Sequence, residues 1–219
     1  MLFETQDGSH SLFSKEYGVS YHSKYGAIQE TQHVFINAGL RLKAIEQTEI
    51  SILEIGFGTG LNAYMTIFES EKRGLTIDYV GVEAYPVSKE ITQQLNYAKQ
   101  VNQPESQVIF DIIHDIEWDV PHLINEHFRL TKVNKRFEEL GYDSKFDLIY
   151  FDAFAPTSQP ELWEIPLLTL MLNALKPNGV LVTYCAKGQF KRNLKAVGFT
   201  VEAIPGPPGK REMTRAIKL

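Results

Sequence analysis

The hydropathic rhythm of the chain changes near residue 50. From there on, short apolar runs alternate with stretches whose apolar residues recur every three or four positions. Residues 50–55, 76–83, 146–152 and 179–185 read as buried strands, and 61–73, 87–100, 161–175 and 187–197 as helices. Residues 108–114 form an apolar run of strand length. Segment 117–140 yields a strand at 128–133 with a short helix after it. Strands alternating with helices imply βαβ units and a mostly parallel sheet. The end departs from that rule, because strands at 199–204 and 212–218 are joined only by the Gly/Pro loop 205–209. With no crossover helix they must pair antiparallel. Ahead of this body, residues 11–39 are rich in β-branched and aromatic residues and punctuated by Gly18, Gly26 and Gly39, a pattern of short strands and turns. The expected division is a β-rich extension, residues 1–48, packed on a core at 49–219.

The 219 residues suit one domain that buries a full core without disulfides. Hydrophobic and charged contents of 43% and 22% are those of an ordinary globular protein. A single cysteine, Cys185, excludes a disulfide framework and a cysteine-rich zinc site. No apolar run reaches the roughly 18 residues of a membrane span. The first residues also lack a basic segment followed by an apolar one, so a cytoplasmic protein without a membrane anchor is expected. The net charge of −5 conceals an asymmetry: residues 1–175 balance at −12 and residues 176–219 at +7. A basic end on an acidic body suggests a confined contact with an anionic partner, against the plainer reading of solvated charges.

The strongest local signal is Leu53-Glu54-Ile55-Gly56-Phe57-Gly58-Thr59-Gly60-Leu61-Asn62. A strand runs into three glycines spaced by single residues, and a helix follows. Such a turn lets backbone approach a ligand closely, at the point where doubly wound sheets bind nucleotides. The dinucleotide fingerprint G-x-G-x-x-G would need its third glycine where Leu61 stands. Glu54 would repel a pyrophosphate, whereas the ammonium and sulfonium of S-adenosyl-L-methionine suit it. Glu83, at the end of the next strand, can accept both hydroxyls of a ribose. Glu54, Gly56, Gly58, Gly60 and Glu83 are therefore the candidate cofactor-binding residues, with S-adenosyl-L-methionine as cofactor. A tight strand-to-helix turn is the competing reading of the glycines alone. Near the adenine, Asn134 is the candidate and Asp115 its rival. With the hairpin finish, these features predict an α/β class I S-adenosylmethionine-dependent methyltransferase. Its sheet would be Rossmann-like, mostly parallel and seven-stranded, with a C-terminal antiparallel hairpin and the N-terminal β-rich extension.

The acceptor side is read from Ile149-Tyr150-Phe151-Asp152-Ala153-Phe154-Ala155-Pro156. An apolar strand delivers one carboxylate to its carboxyl end, with an aromatic two residues on and a proline two after that. Transfer of a methyl to nitrogen needs an unprotonated amine aligned with the methyl donor. Asp152 can hold that amine and accept its proton, and the ring of Phe154 can favour the developing cation. The alternative is that Asp152 caps a turn and Phe154 is core.

Glu54–Asn62, Phe151–Pro156 with Pro160-Glu161-Leu162-Trp163 behind it, and Gly209-Lys210-Arg211-Glu212-Met213 together resemble one family. It is the methyltransferase domain of the bacterial tRNA wobble-uridine enzyme that forms 5-methylaminomethyl-2-thiouridine. The segments Leu12-Phe13-Ser14 and Gly26–Thr31 leading to Val34-Phe35-Ile36 are similar to that family's entry segment. The resemblance implies N-methylation of the 5-aminomethyl group of uridine-34, with Asp152 and Phe154 catalytic. It implies a tRNA anticodon stem-loop as partner, met by Pro156, Lys187, Lys210 and Arg211, with Lys191, Arg192 and Lys195 adding to the basic surface. Bifunctional members carry a flavin-dependent domain that makes the aminomethyl precursor. With the sequence ending at Leu219, a stand-alone methyltransferase served by a separate precursor-forming enzyme is expected.

The six histidines show no ligand spacing, and no metal is expected. Cys185 reads as a small core residue, and Trp163 as core or as a support for the acceptor loop. Tyr17, Tyr21 and Tyr25 are either structural or a cover for the pocket. Rival functions are methyl or aminopropyl transfer to a small free amine, and a non-catalytic tRNA-binding module.

Overall fold

The computed structural model describes residues 1–15 and 17–219. Strands β1 (Leu2–Glu4), β2 (His10–Ser14) and β3 (Val19–Ser20) form a small antiparallel sheet. The main sheet takes β4 (Glu49–Ile55), β5 (Thr76–Val82), β6 (Pro121–Asn125), β7 (Phe128–Val133), β8 (Phe146–Phe151), β9 (Leu175–Thr183), β10 (Thr200–Pro205) and β11 (Glu212–Ile217). Their spatial order is β10-β11-β9-β8-β4-β5-β7-β6. The five central strands run parallel, the β10–β11 hairpin closes one edge antiparallel, and β6 closes the other. The expected seven strands are all present. The eighth, β6, turns back onto β7 through Glu126 and His127.

Alternation along each strand divides the interior in two. Ile50 and Ile52, Ile77 and Tyr79, Leu148 and Tyr150 face one core layer. Leu53 and Ile55, Val80 and Val82, Ile149 and Phe151 face the other. A parallel sheet buried on both faces must be covered on both. The first layer is covered by the helix at residues 27–43 (α1), by α2 (Leu61–Arg73) and by α5 (Ser106–Asp115); between the last two lie the short α3 (Lys89–Thr92) and α4 (Tyr97–Val101). The second is covered by α6 (Ile165–Ala174) and α7 (Gly188–Val197). Among the described residues no helix is long and apolar enough to cross a membrane.

Three sequence expectations are corrected. The extension is β-rich only through Ser20, and residues 27–43 are helical, packed over β8 and β9. Within that helix Gln32–Leu40 widens to i→i+5 bonding, which disrupts the 3.6-residue pattern. Gly39 is no turn: a Cβ there would lie 3.0 Å from Val182 and 3.3 Å from Leu148 and Tyr150, so glycine allows the helix to lie close on the sheet. The run 108–114 is a helix that buries Ile109, Phe110 and Ile113 and leaves Val108 and Ile112 exposed. The helix expected at 87–100 is broken into α3 and α4.

Candidate functional site

The first core strand, β4, lies between β5 and β8, and the chain order reverses there. Ligands of open α/β sheets bind outside the carboxyl ends of the strands at such a reversal. A cavity of about 260 Å³ opens at that place, lined by the glycine loop, Glu83, Asp152 and Phe154. Gly56 has φ +91°, and a Cβ on it would stand 2.7 Å from the carbonyl oxygen of Asp152. The two strand ends that flank the cavity are therefore held at backbone distance. Gly60, in left-handed conformation, starts α2.

Glu83 reaches into the cavity with both oxygens positioned. The Gly58 amide donates to Oε2 and the Tyr85 amide to Oε1, each at 3.0 Å. Burial nevertheless keeps its pKa above the usual carboxylate range.

Glu54 does not line the cavity. It is wholly buried beneath it, taking a hydrogen bond from Asn62 Nδ2 at 2.8 Å and one from the Tyr79 hydroxyl at 2.9 Å. Glu54 thus lies behind Asn62, which does face the cavity. Asn62 also donates to Asp152 Oδ2 at 2.8 Å and accepts from the Thr31 hydroxyl at 2.8 Å. Burial raises the pKa of Glu54 well above the ordinary range. Burial and the nearby Glu30 carboxylate do the same to Asp152, against the opposing effects of Asn62 and Lys210.

Phe154 packs against Tyr17 and Tyr21, with ring centroids 5.0 Å and 4.9 Å away. All three rings and Asp152 line the cavity, which thus combines a carboxylate with three aromatic rings. This loop is fixed from behind. The Trp163 indole donates to the Phe154 carbonyl and the Tyr184 hydroxyl to the Ala153 carbonyl, both at 2.8 Å. Trp163 thereby serves both as core and as support for the loop. Among the described residues, Glu83, Glu138, Asp152 and Glu161 line the cavity against one cation, Arg136, which suits a positively charged ligand.

Other sequence candidates fall elsewhere. Asn134 is exposed and does not line the cavity; its amide latches the carbonyls of Glu83 and Ala84 at 2.8 Å and 3.3 Å. Asp115 ends α5 and pairs with Lys89. Phe137, next to Arg136 and after β7, lines the cavity. Pro156 is half-buried and outside the cavity lining, and Cys185 is buried in the second core layer. Lys187 and Arg211 are exposed, whereas Lys191 pairs with Glu212 at 2.5 Å and Lys210 with Glu30 at 3.0 Å. Asn62, Tyr17 and Tyr21 were the site residues hardest to read as such from sequence. Only the place of Asn62 directly after the glycine loop signals it.

Residues 87–219 match the family of S-adenosyl-L-methionine-dependent methyltransferases. The chain is 29% identical over 216 residues to the tRNA 5-methylaminomethyl-2-thiouridine biosynthesis bifunctional protein MnmC of Cupriavidus necator, covering 93% of this chain and 32% of that protein. It thus spans about a third of the length of the curated relatives it matches. The crystal structure of MNMC2 from Aquifex aeolicus superposes with a TM-score of 0.79 at 27% identity, covering 98% of this chain and 68% of that one. Spermidine synthase from Thermotoga maritima, at 11% identity and a TM-score of 0.54, covering 100% of this chain and 70% of its own, shares the fold. With its class I sheet and its cavity at the reversal of strand order, the chain belongs to the S-adenosyl-L-methionine-dependent methyltransferase family.

Proposed function

We propose that this protein methylates the nitrogen of the 5-aminomethyl group on wobble uridine-34 of tRNA, giving 5-methylaminomethyl-(2-thio)uridine. One observation carries the reading: Asp152 lines the same cavity as the packed rings of Phe154, Tyr17 and Tyr21. A carboxylate among aromatic faces suits an amine, whose charge it neutralises and whose cationic transition state the rings favour. The printed name of the Cupriavidus relative, and its span across nearly all of this chain, support tRNA as the carrier of that amine.

S-adenosyl-L-methionine supplies an electrophilic methyl group on a sulfonium. Glu83 would hold its ribose, the loop Gly56–Gly60 its close-approaching backbone, and Asn62, supported by Glu54, the polar end. Asp152 takes the proton that the amine must lose and holds the lone pair in line. Bound there, the cofactor would supply its methyl to the amine nitrogen, and the proton that the methylated amine then sheds would leave to water, since Asp152 already holds the first. Phe154, Tyr17 and Tyr21 exclude bulk water around the nitrogen. Exposed Lys187, Arg192, Lys195 and Arg211 are available for anticodon-stem phosphates. The aminomethyl group must already be on the tRNA, so a separate catalytic centre has to make it.

The test is methyl transfer from labelled S-adenosyl-L-methionine to tRNA from a strain lacking the protein, with nucleosides resolved by mass. One methyl gained on the C5 substituent of uridine-34 is expected. No transfer to tRNA shown to carry the aminomethyl nucleoside would overturn the assignment.

A further inference from the structure

His22 follows β3 and lines the cavity beside the glycine loop. Its backbone amide donates to the Ser11 hydroxyl at 3.1 Å, and its Nδ1 lies 3.3 Å from the same oxygen. The Ser11 proton has no other acceptor among the described residues. Ser11 therefore donates to Nδ1, and the tautomer assigned from this pattern carries its hydrogen on Nε2. Nε2 itself has no hydrogen-bond partner among the described residues. The ring packs edge-on against Tyr97, with centroids 6.3 Å apart, and the Tyr97 hydroxyl donates to Thr59 in the glycine loop at 3.2 Å. Next to His22, the Tyr21 ring closes on Gly58, where a Cβ would stand 3.2 Å from it. Gly58 is also the residue whose amide holds Glu83. The imidazole is thus fixed against the same loop that positions the ribose-binding carboxylate. Burial pushes its pKa down to about 4, so the ring is neutral at pH 7.

S-adenosyl-L-methionine brings one anion, its carboxylate, into a cavity whose charged lining is mostly acidic, and that anion needs a donor. Asn62 cannot supply one. Both its amide hydrogens go to Asp152 and Glu54, and its oxygen, already bonded by Thr31, keeps one lone pair for the ammonium. Arg136 stands after β7, 3.7 Å from Glu138. A cation beside the carboxylate would also repel the nearby sulfonium, whereas a neutral N–H would not. We propose that the Nε2–H of His22 binds the carboxylate of S-adenosyl-L-methionine, which makes His22 the residue that selects the cofactor retaining this group. The decarboxylated cofactor, the donor that aminopropyl transfer requires, would leave the same N–H unpaired in the filled cavity, and the discrimination arises there. The inference rests on the cofactor placement of the proposed function and is independent of its tRNA acceptor.

Calorimetric titration of the whole protein, with no acceptor present, compares three ligands. They are S-adenosyl-L-methionine, its decarboxylated form, which keeps the ammonium, and 5′-methylthioadenosine, which lacks the whole amino-acid end. His22→Phe keeps a ring without a donor. His22→Asn keeps a polar group for Ser11 but does not reach the ligand, and thermal unfolding checks that each variant is folded. Both should lose about tenfold or more in affinity for S-adenosyl-L-methionine and change by less than about threefold for the other two ligands. His22→Gln, whose amide reaches the position of Nε2, should recover most of the loss. Equal losses for all three ligands, or no loss for any, would overturn the proposal. A loss shared by S-adenosyl-L-methionine and its decarboxylated form alone would put His22 on the ammonium or the carbon chain, and would overturn it too. If wild type binds the cofactor yet transfers no methyl to tRNA, the acceptor reading fails on its own. The ligand pattern still decides His22: a loss confined to the carboxylate-bearing ligand supports the proposal, and any other pattern overturns it.

Discussion

Asn62 and Asp152 are joined by a 2.8 Å hydrogen bond from the amide nitrogen to Oδ2, and the other hydrogen of that nitrogen goes to Glu54 at the same distance. One short side chain thus ties the floor of the glycine loop to the carboxylate at the end of β8. Its oxygen, bonded by Thr31, ties both to α1.

Replacing Asn62 by leucine removes the shared donor while keeping the volume. Each buried acceptor left unpaired should cost about 1–3 kcal/mol of stability. Methyl transfer should fall by about 100-fold, because Asp152 loses its orientation. Urea unfolding of the free protein and single-turnover transfer measure the two effects separately. A variant as stable and active as wild type would show that the network does not position Asp152.

Glu54→Gln probes the pH dependence of stability. The folded state raises the pKa of Glu54 well above its ordinary value of 4.5 through burial. As pH rises through the window between those values, the unfolded chain has lost a proton that the folded chain still holds. Stability attributable to Glu54 is therefore full at low pH and declines as pH rises through its folded-state pKa. Glutamine can still accept from Asn62 and carries no charge to desolvate. It should flatten that decline and raise the urea midpoint at pH 7 relative to wild type. A lower midpoint at pH 7 would mean that the ionised form is the one the fold prefers.

The individual strands, the hairpin and the glycine loop were legible because each is local: a run of apolar residues, a missing crossover, a backbone that must turn. Asp152 and Phe154 were legible as residues of the cavity because they follow closely on a strand end. What escaped depends on distant partners. Glu54 reads as ligand-facing until Asn62 and Tyr79 are seen to enclose it. Lys210 reads as a surface charge until Glu30, 180 residues earlier, pairs with it. The 27–43 helix was hidden by its wide turns and by Gly39, a packing glycine that looks like punctuation. Tyr17 and Tyr21, read from the sequence as structural or as a cover for the pocket, line the cavity with Phe154, a choice only the folding of the extension decides.

Gly56→Ala tests the close approach of the two strand ends. The added methyl meets a positive φ and the Asp152 carbonyl together, and neither is the far end of a movable side chain. A destabilisation of about 1–3 kcal/mol is expected. S-adenosyl-L-methionine affinity should fall by about tenfold or more, since the loop must retreat from the cavity. Calorimetric titration with the cofactor and thermal unfolding check both, and unchanged affinity would place the cofactor away from this turn.

Lys132 bears on stability alone. It is 1% exposed on β7, with Nζ 2.9 Å from the His114 carbonyl in the last turn of α5 and 5.0 Å from the centre of the Trp118 ring. Burial lowers its pKa from 10.5 to about 8, with Asp115 pulling the other way. Between those pH values the unfolded chain keeps a proton that the folded chain has released, so stability should rise with pH across the window. Methionine preserves the unbranched stem and removes the ammonium. If the burial of charge outweighs its bond to the helix end, Lys132→Met should gain about 1–3 kcal/mol at pH 7 and lose the rise. Urea midpoints of both proteins at pH 7, 8, 9 and 10 decide it. A variant weaker than wild type at every pH would show that the ammonium clamping the end of α5 is worth more than its desolvation costs.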